Sequence, residues 1–244
     1  MVSFKNFNNN AIISNIKIIK SGGTVNPDPF AASVIFHAPM NGSVADRTGN
    51  VGVTPSGDLT YTTGPFDGTS GYVYNSRTDD KYLTYGPLPI DGDFTLEYWG
   101  LIPSTAASVS RHLVYGNYGL EDGFAFQNLN SATLDVALTN ASSTSINVVG
   151  QGTFTRDVWN FVTLIREGTT FRYYINGVLI NSLVSSKTFN TAFGLRVGAL
   201  DLNSASYELG STAFRGEGYM YDLRITEAIR YTGNFTPPTE PFPT

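Results

Sequence analysis

Residues Trp159 to Ser182, WNFVTLIREGTTFRYYINGVLINS, constrain the fold more than any other stretch of the chain. Apolar and polar residues alternate through two strand lengths, with Asn176-Gly177 at the point where the chain turns back. Asn and Gly both tolerate the positive φ of a type I′ turn, so the pair between alternating runs predicts a β-hairpin. In the first run Trp159, Phe161, Thr163 and Ile165 share one face, and Val162 and Leu164 take the other. A strand apolar on both faces is covered on both sides, which predicts a middle strand rather than an edge. In the second run Phe171, Tyr173 and Ile175 point one way and Arg172, Tyr174 and Asn176 the other. That strand is expected to have one buried and one wetter face.

The same punctuation recurs along the chain. Strands are predicted at Ser33–Ala38, Tyr72–Tyr74, Tyr82–Tyr85, Asp93–Leu101, His112–Tyr115, Gly123–Asn128 and Thr133–Thr139, then at Ser145–Val149, Gly194–Leu200, Ser206–Leu209 and Gly218–Thr226. Turn signals, such as Asp46–Asn50 and Phe66–Gly71, fall between them, and no helix-length period appears. Such spacing is the signature of an all-β sandwich. Thr226–Tyr231 has room for one helical turn. Thr236–Thr244 holds four prolines in nine residues and cannot form a central strand.

Residues 1–32 differ from the rest. An Asn run and one alternating segment carrying Ile12, Ile13, Ile16, Ile18 and Ile19 lead into Ser21-Gly22-Gly23 and the Pro27-Asp28-Pro29 turn. A lone β-branched strand cannot bury itself. Two readings follow: an edge strand added to the main sandwich, or an arm that docks on a neighbouring subunit by strand addition. The division is therefore an N-terminal β arm and linker, 1–32, and one domain, 33–244.

Composition excludes several function classes. Charged residues are 14% of the 244, against a usual share of about 25%. The net charge is −5 and no basic run exists, so a nucleic-acid footprint is not expected. The absence of cysteine removes disulfides, thiol chemistry and Cys-based zinc sites. No stretch approaches 18 apolar residues, so no membrane span is expected, and polar residues interrupt the first segment where a signal peptide needs an apolar core.

Catalytic constellations are not found either. His37 and His112 have neither triad nor zinc-ligand spacing, and no G-x-S-x-G surrounds a serine. Each is expected to be a surface or hydrogen-bonded residue. Glu97 stands alone on its strand, expected to be solvated or hydrogen-bonded. Glu217 and Asp222, five apart, would point to opposite faces of a regular strand. Calcium would find oxygens at Asp46 with Asn50, Asp79 with Asp80, Glu121 with Asp122, or Asp201 with Asn203. None has calcium-loop spacing, and each pair is read as turn chemistry, so no cofactor or metal is expected, with a calcium site as the alternative. For sugar, the chemistry is an aromatic platform beside carboxylate or amide groups. The loop YGNYGLED brings Asn117, Tyr118, Glu121 and Asp122 together and is the candidate ligand site.

Taken in order, the motifs resemble the laminin-G-like, concanavalin A-like jelly roll. The matching pieces are FHAPMNGSVADRTGN (36–50), YLTYGPLPIDGDFTLEYWG (82–100), LVYGNYGLEDGFAFQ (113–127), VWNFVTLIREGTTFRYYINGVLI (158–180), LRVG (195–198) and GYMYDLRITEAIRYTGNFTPPTEPFP (218–243). The resemblance covers about 34–243 and implies a two-sheet antiparallel jelly-roll sandwich. The close, RYTGNFTPPTEPFP, resembles that of such domains in bacteriophage structural proteins. It implies a non-enzymatic virion protein, a head decoration or tail accessory anchored to other virion proteins by its arm. The exposed head would meet host-surface glycans, and a homo-oligomer is compatible with this reading. The alternative is a free lectin-like or receptor-binding glycan-recognition module. The family's glycan-cleaving members use an E-x-D-x-x-E motif, which this sequence lacks.

Overall fold

In the computed structural model, the described residues are 28–75, 78–106, 110–116, 123–128, 133–139, 147–189, 192, 194–199 and 216–243. A short 3-10 turn, Ala31–Ser33, enters the first strand. The first group of strands is β1 (Val34–Ala38), β2 (Val53–Ser56), β3 (Thr60–Thr63), β4 (Ser70–Asn75), β5 (Tyr82–Pro87), β6 (Phe94–Leu101), β7 (Ser110–Tyr115) and β8 (Gly123–Asn128). The second is β9 (Thr133–Thr139), β10 (Asn147–Thr153), β11 (Asn160–Glu167), β12 (Thr170–Ile175), β13 (Val178–Val184), β14 (Gly194–Val197) and β15 (Glu217–Thr226). They form two antiparallel sheets. One runs β13-β12-β11-β6-β15-β4-β3, with β1 also paired to β15; the other runs β10-β9-β8-β7-β14-β5-β2. The fold is the expected all-β jelly-roll sandwich.

The hairpin behaves as its turn residues dictate. Asn176 has φ 51° and Gly177 φ 75°, the two positive values a type I′ turn needs. The middle-strand expectation also holds, since β11 lies between β12 and β6. Val162 and Leu164 enter the core between the sheets, and Phe161, Thr163 and Ile165 take the outer face yet are fully buried. Tyr174 departs from expectation: it sits on the face predicted to be wet but is buried, because the C-terminal segment lies over it.

Other differences have local causes. The strands β2 and β3 were not predicted. Both are four-residue edge strands, and β2 carries Pro55, which only an edge tolerates. The helical turn allowed over Thr226–Tyr231 does not form: Thr226 closes β15, and Arg230 reaches back to Asp28. The predicted strand Ser206–Leu209 lies outside the described residues. Glu217 and Asp222 do not follow regular alternation, because a bulge falls between Tyr221 and Arg224 with Asp222 at φ 55°.

The core is aromatic. Tyr98 meets Phe126 edge-on at 5.4 Å, and Phe36 meets Tyr85 at 4.8 Å. Each such pair adds about 0.5–1.5 kcal/mol beyond the area it buries. His112, buried here, takes the hydrogen-bonded rather than the surface alternative. Its Nδ1 lies 2.8 Å from the Tyr74 hydroxyl and its Nε2 2.7 Å from Asn128 Oδ1. Burial pushes its pKa down to about 4. The neutral ring suits these partners: one nitrogen donates to the amide oxygen and the other accepts from the hydroxyl.

Candidate functional site

The site residues proposed from sequence, Asn117, Tyr118, Glu121 and Asp122, lie outside the described residues, as do the arm residues Ile12, Ile13, Ile16, Ile18 and Ile19 and the pair Asp201 and Asn203. Of the calcium candidates that remain, Asp46 is spent on its own turn. Its carboxylate accepts the N–H groups of His37 (2.9 Å), Thr48 (3.1 Å), Asn50 (3.0 Å) and Val51 (3.2 Å), and the Thr48 hydroxyl at 2.6 Å. Asp79 is drawn to Lys81 at 3.5 Å, and Asp80 takes a turn conformation at φ 51°. Among the described residues no group of three or more His, Asp or Glu could hold a metal.

The informative surface is the outer face of the eight-stranded sheet. Register sets its side chains in cross-strand rows. One row is charged and polar: Tyr174, Thr163, Glu97, Arg224 and His37, contributed by β12, β11, β6, β15 and β1. The next is aromatic: Phe161, Trp99 and Tyr221. Beyond it lie Leu101, Tyr219, Val73 and Thr60.

The charged row is sealed. Glu97, fully buried, faces Arg224 Nη2 and Arg230 Nε, each at 3.0 Å, and accepts the Tyr231 hydroxyl at 2.7 Å. Asp28 faces Arg224 Nη1 at 2.6 Å and Arg230 Nη1 at 3.0 Å. Two carboxylates thus neutralise two guanidiniums, the condition under which buried charge is tolerated. Burial pushes the Asp28 carboxyl up, but the Phe30 N–H, Arg230 and Arg224 outweigh it and hold it below 3.8. Burial, with Glu97 beside it, raises the Tyr231 hydroxyl well beyond its ordinary value. Glu97 is therefore hydrogen-bonded rather than solvated.

The segment after β15 closes over this row. Tyr231 stacks on Phe235 at 3.6 Å, and Phe235 packs on Tyr174 at 5.5 Å and Phe161 at 6.1 Å. The Phe235 N–H donates to Gly177 O at 2.9 Å, and Leu179 N–H donates to Asn234 Oδ1 at 2.9 Å. Phe242 lies 3.5 Å from the Arg224 guanidinium carbon, and its N–H donates to Asp222 Oδ2 at 2.7 Å. The other Asp222 oxygen faces His37 Nε2 at 2.6 Å, so His37 too is a buried hydrogen-bonded residue.

Beside the buried Phe161 and Tyr221, part of the aromatic surface stays half-exposed. Trp99, Trp159, Tyr219 and Phe66 are half-buried, and Val158 beside them is exposed. Phe66 meets Trp99 at 5.5 Å and Tyr221 at 5.8 Å, and Trp159 lies 6.5 Å from Tyr219. Trp159 reaches across the sheet to Gly71, where a Cβ would stand 2.5 Å from its ring. Only glycine leaves room for the indole there. The result is a shallow aromatic platform, bounded on one side by Phe235 and on the other by the Phe66–Thr69 turn. Sequence reasoning missed it because its rings come from residues far apart in the chain. The available signal was the outward parity of Trp99 within Thr95, Glu97, Trp99, and of Tyr219 and Tyr221.

Two packed antiparallel sheets with an aromatic patch on an outer face define a lectin-like jelly roll. Residues 67–227 match the laminin G-like group of the concanavalin A-like lectin/glucanases superfamily, and the chain belongs to that superfamily. By sequence, no curated protein matches it. Among solved structures, the fold is similar to domain 4 of AbnA, a GH43 extracellular arabinanase from Geobacillus stearothermophilus, in complex with arabinotriose. The identity is 15%, the TM-score 0.59, and the match covers 80% of this chain and 92% of that one. It is also similar to the binding domain of botulinum neurotoxin DC, in complex with SialylT (15% identity, TM-score 0.59, 80% of this chain) and with rat synaptotagmin II (14%, 0.59, 81%). The chain spans about half the length of those neurotoxin fragments, 48% and 49%.

Proposed function

We propose that the chain is a non-catalytic carbohydrate-recognition module that binds glycans on the aromatic half of the eight-stranded sheet's outer face. One observation carries the reading: the tail seals the charged half of this face and leaves Trp99, Trp159 and Tyr219 half-buried, each with part of its ring at the surface. A pyranose presents a face of C–H groups that packs on an aromatic ring, and partly open aromatic patches mark binding surfaces. The glycans in the arabinanase-domain and neurotoxin complexes support the class of ligand. Glu97, with both oxygens committed to Arg224, Arg230 and Tyr231, supports the non-catalytic part. The test is a glycan array followed by titration of the hits with the Trp159→Ala and Tyr219→Ala variants. Loss of a stacking ring should cost about 2 kcal/mol, roughly thirtyfold in affinity. Unchanged binding by both variants would remove the platform from the reading.

The closing segment RYTGNFTPPTEPFP favours a second, overlapping reading, in which the module is mounted on a virion through residues 1–32 and meets host-surface glycans there. Removal of residues 1–30 decides it. A folded head that no longer joins particles supports the mount, and unaltered incorporation defeats it.

A further inference from the structure

The sandwich keeps one apolar edge. β13 ends the eight-stranded sheet, pairing with β12 on one side and with no described strand on the other. Of the five large apolar side chains exposed among the described residues, three belong to this strand: Val178 at 54%, Leu179 at 41% and Val184 at 73%. Register with β12 puts Leu179 and Val184 on the outer face, opposite Tyr174 and Thr170, and Val178 on the inner face, opposite Ile175. Val178–Val184 carries neither charge nor proline. Edge strands normally carry such devices, because their unpaired N–H and C=O groups invite another strand. The other sheet ends are poorer acceptors. β2 and β3 have four residues each, β2 with Pro55, and β10 has glycine at two of its seven positions.

The chain that precedes the described domain offers a matching strand. The described residues begin at Asp28, and Lys20–Pro27 separates it from the alternating segment Ile12–Ile19. As a strand, that segment would carry Ile12, Ile16 and Ile18 on one face and Ile13 and Ile19 on the other. This suits an acceptor with exposed apolar side chains on both faces. The start of the path is fixed, since Asp28 is held by Arg224 on β15 and by Arg230. Arg224 stands in the row that runs through Glu97, Thr163 and Tyr174 to Leu179 on β13. By the strand order β15-β6-β11-β12-β13, a strand added beyond β13 lies five spacings from β15, about 24 Å. The eight residues of Lys20–Pro27 can span about 26–29 Å. The linker therefore reaches. It brings Ile19 to the Leu179 end and Ile12 to the Val184 end, antiparallel to β13 as β12 is. Asn234 already takes the Leu179 N–H, which sets the added strand along Ile180–Val184.

We propose that β13 is the docking edge for Ile12–Ile19 of the same chain, which adds to the sheet as a ninth strand and covers Leu179 and Val184. The proposal is independent of the glycan reading, and a segment docked in this way is unavailable to any other acceptor. The chain has no cysteine, so a pair can be introduced without competing thiols. Ser182→Cys is combined in the full chain with Ile16→Cys, Lys17→Cys or Ile18→Cys, and with Ser3→Cys as the reference for an undirected encounter. On oxidation at low protein concentration, at least one of the three pairs should close within the monomer about tenfold faster than the reference. Equal rates for all four, or a disulfide only between chains, overturns the proposal; the second result gives the edge to another copy. Hydrogen exchange supplies a readout without cysteine. In wild type, the β13 amides that do not bond to β12 should be protected. Ile16→Pro, which removes a donor from the added strand, should speed their exchange about tenfold and leave β11 unchanged. Unprotected amides in wild type, or protection unaltered by Ile16→Pro, overturns the proposal as well.

Discussion

Glu97→Gln is the substitution with the largest consequence for the outer face. The side chain keeps its shape but loses its charge, leaving Arg224 and Arg230 to share Asp28 alone. Glu97 is 0% exposed and Arg224 1%, so solvent cannot supply the missing counter-charge. The amide also offers one acceptor oxygen where the carboxylate served Arg224, Arg230 and Tyr231. Breaking a buried ion pair by removing one partner costs about 3–5 kcal/mol. For a domain of this size, each kcal/mol lowers the melting temperature by about 2–4 °C, giving a fall of roughly 6–20 °C. Urea unfolding at pH 7 measures the free energy directly, and hydrogen exchange at Phe235 and Phe242 reports whether the tail opens first. The pH matters, because the Asp28 pKa is lowered: its stabilisation is present above 3.8 and is lost as pH falls through the lower folded value. The double variant Glu97→Gln with Arg230→Gln restores neutrality and should be more stable than the sum of the single effects, by about 1–2 kcal/mol. A single variant within about 1 kcal/mol of wild type, with additive double-mutant behaviour, would refute the claim that the network is desolvated.

Two more perturbations probe the same architecture. Gly177→Ala places a Cβ inside the contact radius of Phe235 O at a position with φ 75°, and should cost about 1–3 kcal/mol in urea unfolding; exchange should quicken first at Phe235. His112, with its pKa lowered to about 4, contributes stability that is intact above 6.5 and lost as pH falls toward 4. Between pH 7.5 and 5 the unfolding free energy should drop by about 2 kcal/mol from this residue, and His112→Gln should flatten that slope.

What the sequence revealed follows from the range of each interaction. The type I′ turn depends on two adjacent residues, and the two-faced β11 on a period of two, so both are legible in a short window. The edge strands β2 and β3 were not, since four half-exposed residues leave no alternation to detect and Pro55 argues against a strand. Tyr174 shows a different limit. Alternation assigns it correctly to the outer face, but its burial is set by Phe235, 61 positions later. The platform has the same cause: Phe66, Trp99, Trp159 and Tyr219 become neighbours only through the strand order β11-β6-β15-β4. Asp222 likewise needed a bulge that no residue pattern announced. The loop chosen from sequence for its local mix of Tyr, Asn, Glu and Asp was the site a short window could suggest.

Asp28 and Pro243 line one cavity, so the two ends of the described domain meet at a single corner of the molecule. A domain whose limits lie together can be spliced into a surface loop of another protein without stretching its host. Arg47 lines the same corner. Anything fused at residue 243, or leading into residue 28, would therefore stand at this same corner.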